Sequence, residues 1–298
     1  MSTIGVSESA ARQPQKLASM QVHFLGVRGS SPAPGEDFLR YGGHTSCVAV
    51  GSNDEAPKLV LDAGIGIAVA ARMLKDRPFD GTVLLTHLHW DHITGLPFFP
   101  AGDRTDGTVR LLLPEQGDGV DAYHAVAGIM RPPYFPIEPD LLRGEWSFTG
   151  IEEGEHDIEG YKVLALEVPH KGGRTFGYRI SDGDHVFTYM PDHCPTELGW
   201  GPDGLGAYHD AAVTLAKDAD LLVHDGQLLT DELPVQAPFG HAAAEYAVRL
   251  GEVAGARAVA VFHHRHTRTD DELDALRDSL QRTGIEVSVA SERTIAQL

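Results

Sequence analysis

Four side chains able to bind a metal ion lie within the six residues HLHWDH, from His87 to His92. His87 and His89 are two positions apart, so their side chains emerge on the same side of an extended backbone. Asp91 and His92 follow at a point where a helix could begin. Imidazole and carboxylate groups suit zinc and similar divalent ions. Because one ion cannot comfortably use all four, we expect His87 and His89 to serve one ion, and Asp91 and His92 a neighbouring ion.

Short, nearly all-apolar runs indicate the strands that position this cluster, since such runs are typical of strands covered on both faces. In chain order they are MQVHFLGV, SCVAVG, KLVLDAG, GTVLLTH, VRLLLPE, YKVLALEVPH, TFGYRI, HVFTYMPD, ADLLVHDG, RAVAVFHH and IEVSVA. Helical patterns such as GIGIAVAARMLKD and DDELDALRDSLQRTG lie between some of them. In HAAAEYAVRLGEVAG, the predicted apolar stripe is formed by Tyr246, Ala247, Leu250, Val253 and Ala254. Strands in two groups with helices around them predict one α/β domain with two packed sheets.

The chain divides into a short lead and a single domain. The polar composition of residues 1–19 predicts a disordered N-terminal segment, and we predict that residues 20–298 form the single domain. The region 115–160 contains MRPPYFPIEPD, which is too rich in proline for a helix or a central strand. We therefore predict an ordered loop or lid inserted at about 115–160, between the two halves of the domain.

Charge and composition narrow the function classes. The chain has 298 residues, with 24 Lys and Arg against 43 Asp and Glu, which gives a net charge of −19. Such a chain repels polyanions, so long nucleic acid is a poor candidate partner. No apolar run approaches a membrane span, and the first residues lack the apolar core of a signal peptide. Together with only two cysteines, these features predict a cytoplasmic protein without a membrane partner.

HLHWDH matches the H-x-H-x-D-H signature of the metallo-β-lactamase-fold hydrolases, and other segments resemble that family in the same order. LVLDAG resembles its first motif, and TYMPDH resembles the strand that carries its bridging aspartate. VPHKGGRTFGYRI is similar to the histidine motif of the phosphodiesterase branch near tRNase Z, and KDADLLVHDGQ, FGHAAAEYA and AVAVFHH match later motifs of that branch. The resemblance covers roughly residues 20 to 290. It implies an αββα sandwich of two mixed β-sheets flanked by helices, in agreement with the two-sheet prediction.

The resemblance also implies a binuclear metal centre. One ion would take His87, His89 and His170, and the other Asp91, His92 and His263. Asp192 would bridge the two ions, and Asp62 would support the ligands from outside. For the C-terminal ligand, His264 is the alternative to His263, and His266 is a third. The expected cofactors are two divalent ions, zinc first, with manganese or iron as alternatives, because such ligand sets accept all three.

Two such ions would make a protein nucleophile unnecessary. Zinc lowers the pKa of its bound water to about 7, and neither Cys47 nor Cys194 has a recognisable catalytic surround. The leaving oxygen still needs a proton, for which His241 is the candidate, and the resemblance to the tRNase Z branch implies that Asp225 orients it. The alternative is that His241 only makes a local hydrogen bond at a helix start. The predicted catalytic residues are Asp91, His241 and Asp225.

Five further residues are candidates for substrate contacts. Lys171 and Arg174 follow His170, and Arg28 lies in the loop GVRGSSPAPG; each could pair with a phosphate oxygen or be a solvated loop charge. Tyr134 and Phe135 lie in the proline-rich region, where a base could stack on their rings. The alternative for these two rings is a hydrophobic plug under a loop.

The resemblance and the charge together favour a hydrolase of small phosphodiesters, such as a cyclic nucleotide or a cyclic ribose phosphate. A tRNA-processing enzyme is disfavoured by the net charge of −19. The alternatives are a lactone, thioester or β-lactam hydrolase of the same fold and, further off, a non-enzymatic metal-binding protein. Because dimers are common in this fold family, a homodimer is also among the expectations.

Overall fold

The computed structural model describes residues 20–52, 55–75, 77–117, 119–282 and 284–298. The segment 1–19, predicted to be disordered, lies outside the described residues. The strands of the described part are β1 Met20–Gly26, β2 Arg28–Gly29, β3 Cys47–Ser52, β4 Leu59–Leu61, β5 Asp80–Leu84, β6 Thr108–Pro114, β7 Glu145–Ile151, β8 Gly154–Ile158, β9 Tyr161–Glu167, β10 Phe176–Ser181, β11 Val186–Met190, β12 Leu221–Asp225, β13 Ala258–Phe262, β14 His264–Arg265, β15 Glu286–Val289 and β16 Ile295–Gln297.

Helices lie between the strands in both halves of the chain. The α-helices of the described residues are α1 Ile67–Met73, α2 Trp90–Ile93, α3 Ala122–Ala127, α4 Asp210–Ala216, α5 Leu233–Gln236, α6 Ala244–Ala254 and α7 Asp270–Ser279. Short 3-10 helices span Glu36–Phe38, Leu96–Phe98, Pro139–Leu141, Pro195–Leu198 and Ala237–Phe239. Thr269 and Glu272 cap the first turn of α7 reciprocally, which satisfies backbone donors at that helix end. No helix within the described ranges combines the length and apolar character needed to cross a bilayer.

Fourteen of the sixteen described strands form two seven-stranded mixed sheets, and β2 and β14 pair with each other. The first sheet has the order β16-β1-β3-β4-β5-β6-β7, and the second has the order β15-β13-β12-β11-β10-β9-β8. Strands β4 to β7 are parallel neighbours in the first sheet. Strands β11, β12, β13 and β15 are parallel neighbours in the second. Parallel neighbours end at the same edge of a sheet, so both sheets gather loops at one edge.

Alternating side chains of each strand enter different apolar layers. In β3, Val48 and Val50 lie in the layer between the two sheets, whereas Cys47 and Ala49 face the helices outside the first sheet. In β13, Phe262 lies in the same central layer. The outer layers contain residues of α1, α2 and α3 on one side, and of α4, α6 and α7 on the other. The predicted αββα sandwich is therefore confirmed.

Two details differ from the sequence prediction. Within the region 115–160, predicted as a loop or lid, residues 145–158 form β7 and β8, which are the edge strands of the two sheets. The prolines that suggested a loop stop at Pro139, so nothing prevents Trp146 and Phe148 from alternating along a strand. Val253, predicted on the buried stripe of α6, is exposed, because the stripe that packs on the sheet passes through Leu250 and Ala254 instead.

Candidate metal centre

Parallel pairing brings distant chemical groups to one edge of the sandwich. Asp192 follows β11, Asp225 ends β12 and His263 follows β13, and these three strands are parallel neighbours. In the first sheet, Asp62 follows β4 and His87 comes shortly after its parallel neighbour β5. Residues up to 201 positions apart in the chain therefore meet where the strands end, as ligand sites in open α/β sheets do.

Left-handed backbone aims several of these side chains. Asp62 and His263 both have φ of 58°, and Ser30 has φ of 64°. This conformation costs an L-residue roughly 1–2 kcal/mol, and such strain clusters at functional sites. Each of the three residues directly follows a strand, so the unusual torsion lies where the chain turns into the site.

Two groups of ligand atoms lie side by side. His87, His89 and His170 form one group, and Asp91, His92 and His263 form the other, with the ligand atoms of each group within 4.8 Å of one another. His170 Nε2 lies 3.2 Å from His89 Nδ1. His263 Nε2 lies 3.0 Å from Asp91 Oδ2. These are the two ligand sets that the resemblance implies.

Asp192 lies between the two groups. Its Oδ2 is 2.9 Å from His92 Nε2 and 3.2 Å from His263 Nε2, and its Oδ1 is 3.4 Å from His170 Nε2. It also belongs to a further cluster with Asp225, His241 and His263. One carboxylate thus faces both groups with different oxygens, which is the arrangement needed to bridge two cations.

Unpaired atoms support a cation at this place. Among the described residues, His87 Nε2 is buried without a hydrogen-bond partner, and Asp192 Oδ2 is buried close to His92 Nε2 and His263 Nε2 without making a hydrogen bond to either. Buried polar atoms normally have partners, because leaving one unpaired costs roughly 1–3 kcal/mol. Both atoms are ligand types for divalent ions and both face the cluster. The donor set therefore fits a divalent metal.

Outer contacts select the nitrogen that each imidazole offers. His92 Nδ1 lies 2.8 Å from Asp62 Oδ2, and His170 Nδ1 lies 2.6 Å from the carbonyl oxygen of Gly240. His87 Nδ1 lies 3.0 Å from the hydroxyl of Thr86. In each case Nε2 is left to face the cluster, and such outer-shell hydrogen bonds orient metal-binding histidines.

Electrostatics at the cluster favour a bound positive charge. Burial opposes charge on His92, but the carboxylates of Asp192, Asp91 and Asp62 outweigh it and hold its pKa well above the usual value. Burial would raise the pKa of Asp192, yet His263, His92 and His170 hold it well below its ordinary range. Burial lowers the pKa of His170 to about 4, so that imidazole is neutral at pH 7. Asp192 and His170 are thus in the ionised and neutral states that metal binding requires, and the carboxylates that favour a proton on His92 would equally favour a bound cation.

His241 and Asp225 form a pair next to these ligands. His241 Nδ1 lies 3.0 Å from Asp225 Oδ2 and 3.6 Å from Asp192 Oδ1. Burial lowers the pKa of His241, but the charge and hydrogen bond of Asp225 exceed that effect and raise it to about 9. Asp225 is itself fixed, since it accepts hydrogen bonds from the backbone amides of His193, Gln227 and Ala242. The pair is built to hold a proton at the edge of the cluster.

The three basic residues predicted to contact substrate have other partners. Arg28 is fully buried, its guanidinium donates to the carbonyl oxygens of Gly42 and Arg268, and it faces Asp270. It therefore holds loops together and does not enter the site, which corrects that prediction. Lys171 Nζ donates to the carbonyl oxygen of Pro238. Arg174 pairs with Glu152 and Glu167 at the surface.

The remaining candidates separate clearly. His263 belongs to the ligand cluster, whereas His264 turns away and places Nε2 2.8 Å from the carbonyl oxygen of Ala290. His266 is not in any of the described ligand groups.

Tyr134 and Phe135 line a cavity beside the cluster, where Phe135 packs edge-to-face on Phe98 at 6.0 Å.

Two features of the site were missed by the sequence analysis. The backbone amide of Ser30, a residue with left-handed φ, donates to Asp91 Oδ2 at 2.6 Å. Behind Asp192, His193 bonds through Nδ1 to His224 and through Nε2 to His209, at 2.9 and 2.7 Å. The only available signal was that His193 and His224 directly neighbour Asp192 and Asp225 in the chain.

Comparison with known proteins identifies the family of this chain. The family model described as the Beta-lactamase superfamily domain matches residues 58–264. Ribonuclease Z of Halobacterium salinarum is 26% identical to this chain, and the match covers 82% of this chain and 87% of that protein.

Solved structures show the same fold. The metallo-beta-lactamase fold protein YhfI from Bacillus subtilis is 20% identical, covers 94% of this chain and 100% of its own, and has a TM-score of 0.68. The short form of human tRNase Z is 18% identical, with 93% and 98% covered and a TM-score of 0.60.

Proposed function

Because the chain belongs to the family described as the Beta-lactamase superfamily domain, we propose that it is a metal-dependent phosphodiesterase that cleaves a small phosphodiester. Cyclic nucleotides and cyclic ribose phosphates are the first candidate substrates. The observation that carries the proposal is the position of Asp192 between two histidine-containing ligand groups, with the His241–Asp225 pair beside them.

We propose two zinc ions as cofactors. His87, His89 and His170 would hold one ion, Asp91, His92 and His263 the other, and Asp192 both. When bound, the ions supply Lewis acidity toward phosphoryl oxygens and a water nucleophile at neutral pH. Manganese and iron are the alternatives, because imidazole and carboxylate ligands accept them as well.

The protein itself would supply the proton for the leaving oxygen. His241 lines the same cavity as His89, Asp91 and Asp192. Because Asp225 accepts from Nδ1, the other ring nitrogen, Nε2, is the atom that would deliver the proton. Against the effect of burial, Asp225, Asp192 and Asp91 raise the pKa of this imidazole, and its protonated form would act as the general acid.

RNA cleavage is the second candidate function. It is favoured by the relative named Ribonuclease Z and by the likeness to human tRNase Z. The net charge of −19 argues against it, because an RNA-binding surface normally carries a local excess of Lys and Arg. Of the basic residues near the site, Arg28 is buried and Arg174 is paired with two glutamates.

A substrate panel on the purified, metal-reconstituted chain tests the proposal. Bis(p-nitrophenyl) phosphate and 2′,3′- and 3′,5′-cyclic nucleotides should be hydrolysed, and a precursor tRNA, a lactone and a β-lactam should not. Faster cleavage of the precursor tRNA would favour the second candidate. Failure of every phosphodiester with zinc, manganese and iron would overturn the proposal. Sedimentation of the same sample tests the predicted homodimer.

A further inference from the structure

A large apolar cavity adjoins the metal centre. The cavity at the ligands has a volume of 360 Å³ and is lined by His89, Asp91, Asp192 and His241, among others. The neighbouring cavity has a volume of 590 Å³, within the usual range of small-molecule sites. Trp90 lines both cavities. A molecule held at the metal ligands can therefore extend past the indole into the second cavity.

Trp90 occupies this position at an energetic cost. It lies between His89 and Asp91 in the chain and begins α2, yet 72% of it is exposed. Tyr134 and Phe98, which line the same cavity, are 76% and 55% exposed. Exposed aromatic faces forgo the stabilisation that burial would give. Grouped around a cavity, they are a surface that a ligand would cover.

The lining of this cavity defines the chemistry of its occupant. Among the described residues, no charged side chain lines it, and its polar side-chain groups are the hydroxyls of Thr94 and Tyr134 and the indole N–H of Trp90. A nucleobase placed there would leave several edge donors and acceptors without partners, which is unfavourable. A neutral aromatic ring has no such donors or acceptors to leave unpaired, and it would gain contacts with the aromatic side chains of the cavity. Edge-to-face packing of Phe98 on Phe135 already holds part of the wall in place.

We propose that this aromatic cavity binds an apolar ring of the substrate, so that the preferred substrates are phosphodiesters with an aryl ester group. The inference rests on the proposed phosphodiesterase function, and within it places aryl diesters ahead of the cyclic nucleotides and cyclic ribose phosphates as substrates. The ring would lie against Trp90 and Phe98, while the phosphate lies at the metal ligands. Trp90 is then a specificity residue placed directly between two metal ligands in the chain.

Competitive inhibition by phosphate monoesters tests the cavity. Unlike the rate of diester cleavage, it does not depend on which of two ester groups leaves. Methyl phosphate, phenyl phosphate and uridine 5′-monophosphate are compared as inhibitors of bis(p-nitrophenyl) phosphate hydrolysis by the full metal-reconstituted chain. We expect phenyl phosphate to bind about tenfold or more tightly than methyl phosphate, because a ring leaves water. The gain in affinity over methyl phosphate should be clearly smaller for uridine 5′-monophosphate than for phenyl phosphate.

Variants assign the preference to the cavity. Trp90→Ala and Phe98→Ala should each reduce the preference for phenyl over methyl phosphate, and Phe98→Ala should do so with unchanged metal content. Trp200→Ala is the matched control, since Trp200 is a half-exposed tryptophan in a separate cavity beside Lys171 and Gly240. It should keep the full preference.

Each outcome decides one proposal. Equal inhibition by phenyl and methyl phosphate, a preference that survives both cavity variants, or its loss in Trp200→Ala would overturn the aryl cavity while leaving phosphodiester hydrolysis intact. If the chain hydrolyses no diester, the proposed function fails instead. Calorimetric titration with phenyl and methyl phosphate then still decides whether the cavity selects a ring.

Discussion

The Nδ1 atom of His92 lies 2.8 Å from Oδ2 of Asp62, and both side chains are fully buried. The same carboxylate accepts hydrogen bonds from the hydroxyl of Tyr189 and from the backbone amide of Thr86. Asp62 is therefore fixed by three elements of the sandwich, and it fixes the ring of His92 in turn. Only Nε2 of His92 is left to face Asp192.

Asp62→Asn should weaken metal binding although Asp62 does not itself belong to the ligand groups. Outer-shell partners of metal ligands typically contribute about 10–100-fold to affinity, because they orient the ligand and raise its basicity. Chelator competition should show a loss of that size, with an unchanged circular dichroism spectrum. Asp278→Asn, on the exposed side of α7, is the control and should bind metal normally. Equal affinity in the two variants would contradict the supporting role of Asp62.

His241→Gln should slow catalysis in a manner that depends on the leaving group. Loss of a general acid costs about 10²–10⁴-fold in kcat, and the loss should be seen with an alcohol leaving group. It should be much smaller with p-nitrophenolate, which departs without a proton. Asp225→Asn should show the same pattern, because Asp225 holds Nδ1 of His241.

Metal content separates this role from ligation. His241 lies near Asp192 and His263 as well as Asp225, so it could itself bind an ion. The account expects His241→Gln to retain the full metal content of the wild type. A variant that loses an ion, or that slows both leaving groups equally, would identify His241 as a ligand instead.

Gly29→Ala should disturb the ligand His263. A Cβ atom at position 29 would lie 2.3 Å from His263 Nδ1 and 2.5 Å from Gln227 Oε1, which is far inside van der Waals contact. His263 is completely buried, so its ring can move only by shifting away from Asp91 and Asp192. We expect weaker metal binding and a loss of activity. The control is Gly150→Ala, where the atom nearest to the added Cβ would be 3.4 Å away, and this variant should bind metal like the wild type. Normal metal binding by Gly29→Ala would be evidence against the placement of His263.

His44 and Glu292 should make stability depend on pH. The hydrogen bond to Glu292 and the charge of Glu292 raise the pKa of His44, and together they outweigh burial, Arg293 and Arg72, which act in the opposite direction. A raised pKa in the folded state stabilises the fold below the unfolded pKa of about 6.5, and this contribution is lost as pH rises through the raised value. The difference in unfolding free energy between wild type and His44→Asn should therefore be larger at pH 6 than at pH 9 in urea titrations. A difference that grows with pH would contradict the pairing.

Local spacing and strand order explain why much of the fold and site could be predicted from the sequence. The cluster from His87 to His92 is contained in six residues, so its geometry depends on one strand end and one helical turn. Asp192 and His263 each follow an apolar strand, and parallel strands end at a common edge. The apolar runs were sufficient for the sheets because their side chains alternate between two buried layers.

Other features depend on contacts that no local pattern records. Arg28 was predicted as a phosphate contact in a glycine- and proline-rich loop, but it is completely buried and contacts residues 265–270, which are distant in the chain. Trp90 gave no signal, because its role follows from the cavity that α2 forms with the segment near Tyr134. The prolines of the region 115–160 were given too much weight, since they end before the strand containing Trp146 and Phe148.

The metal content of the reconstituted chain tests the central claim most directly. After dialysis against zinc and removal of free ions, elemental analysis should find two zinc ions per chain, as a binuclear centre requires. His263→Ala and His89→Ala, one from each ligand group, should each bind fewer ions than the wild type. A wild-type chain that retains no zinc, manganese or iron, or variants that retain as much metal as the wild type, would contradict the account.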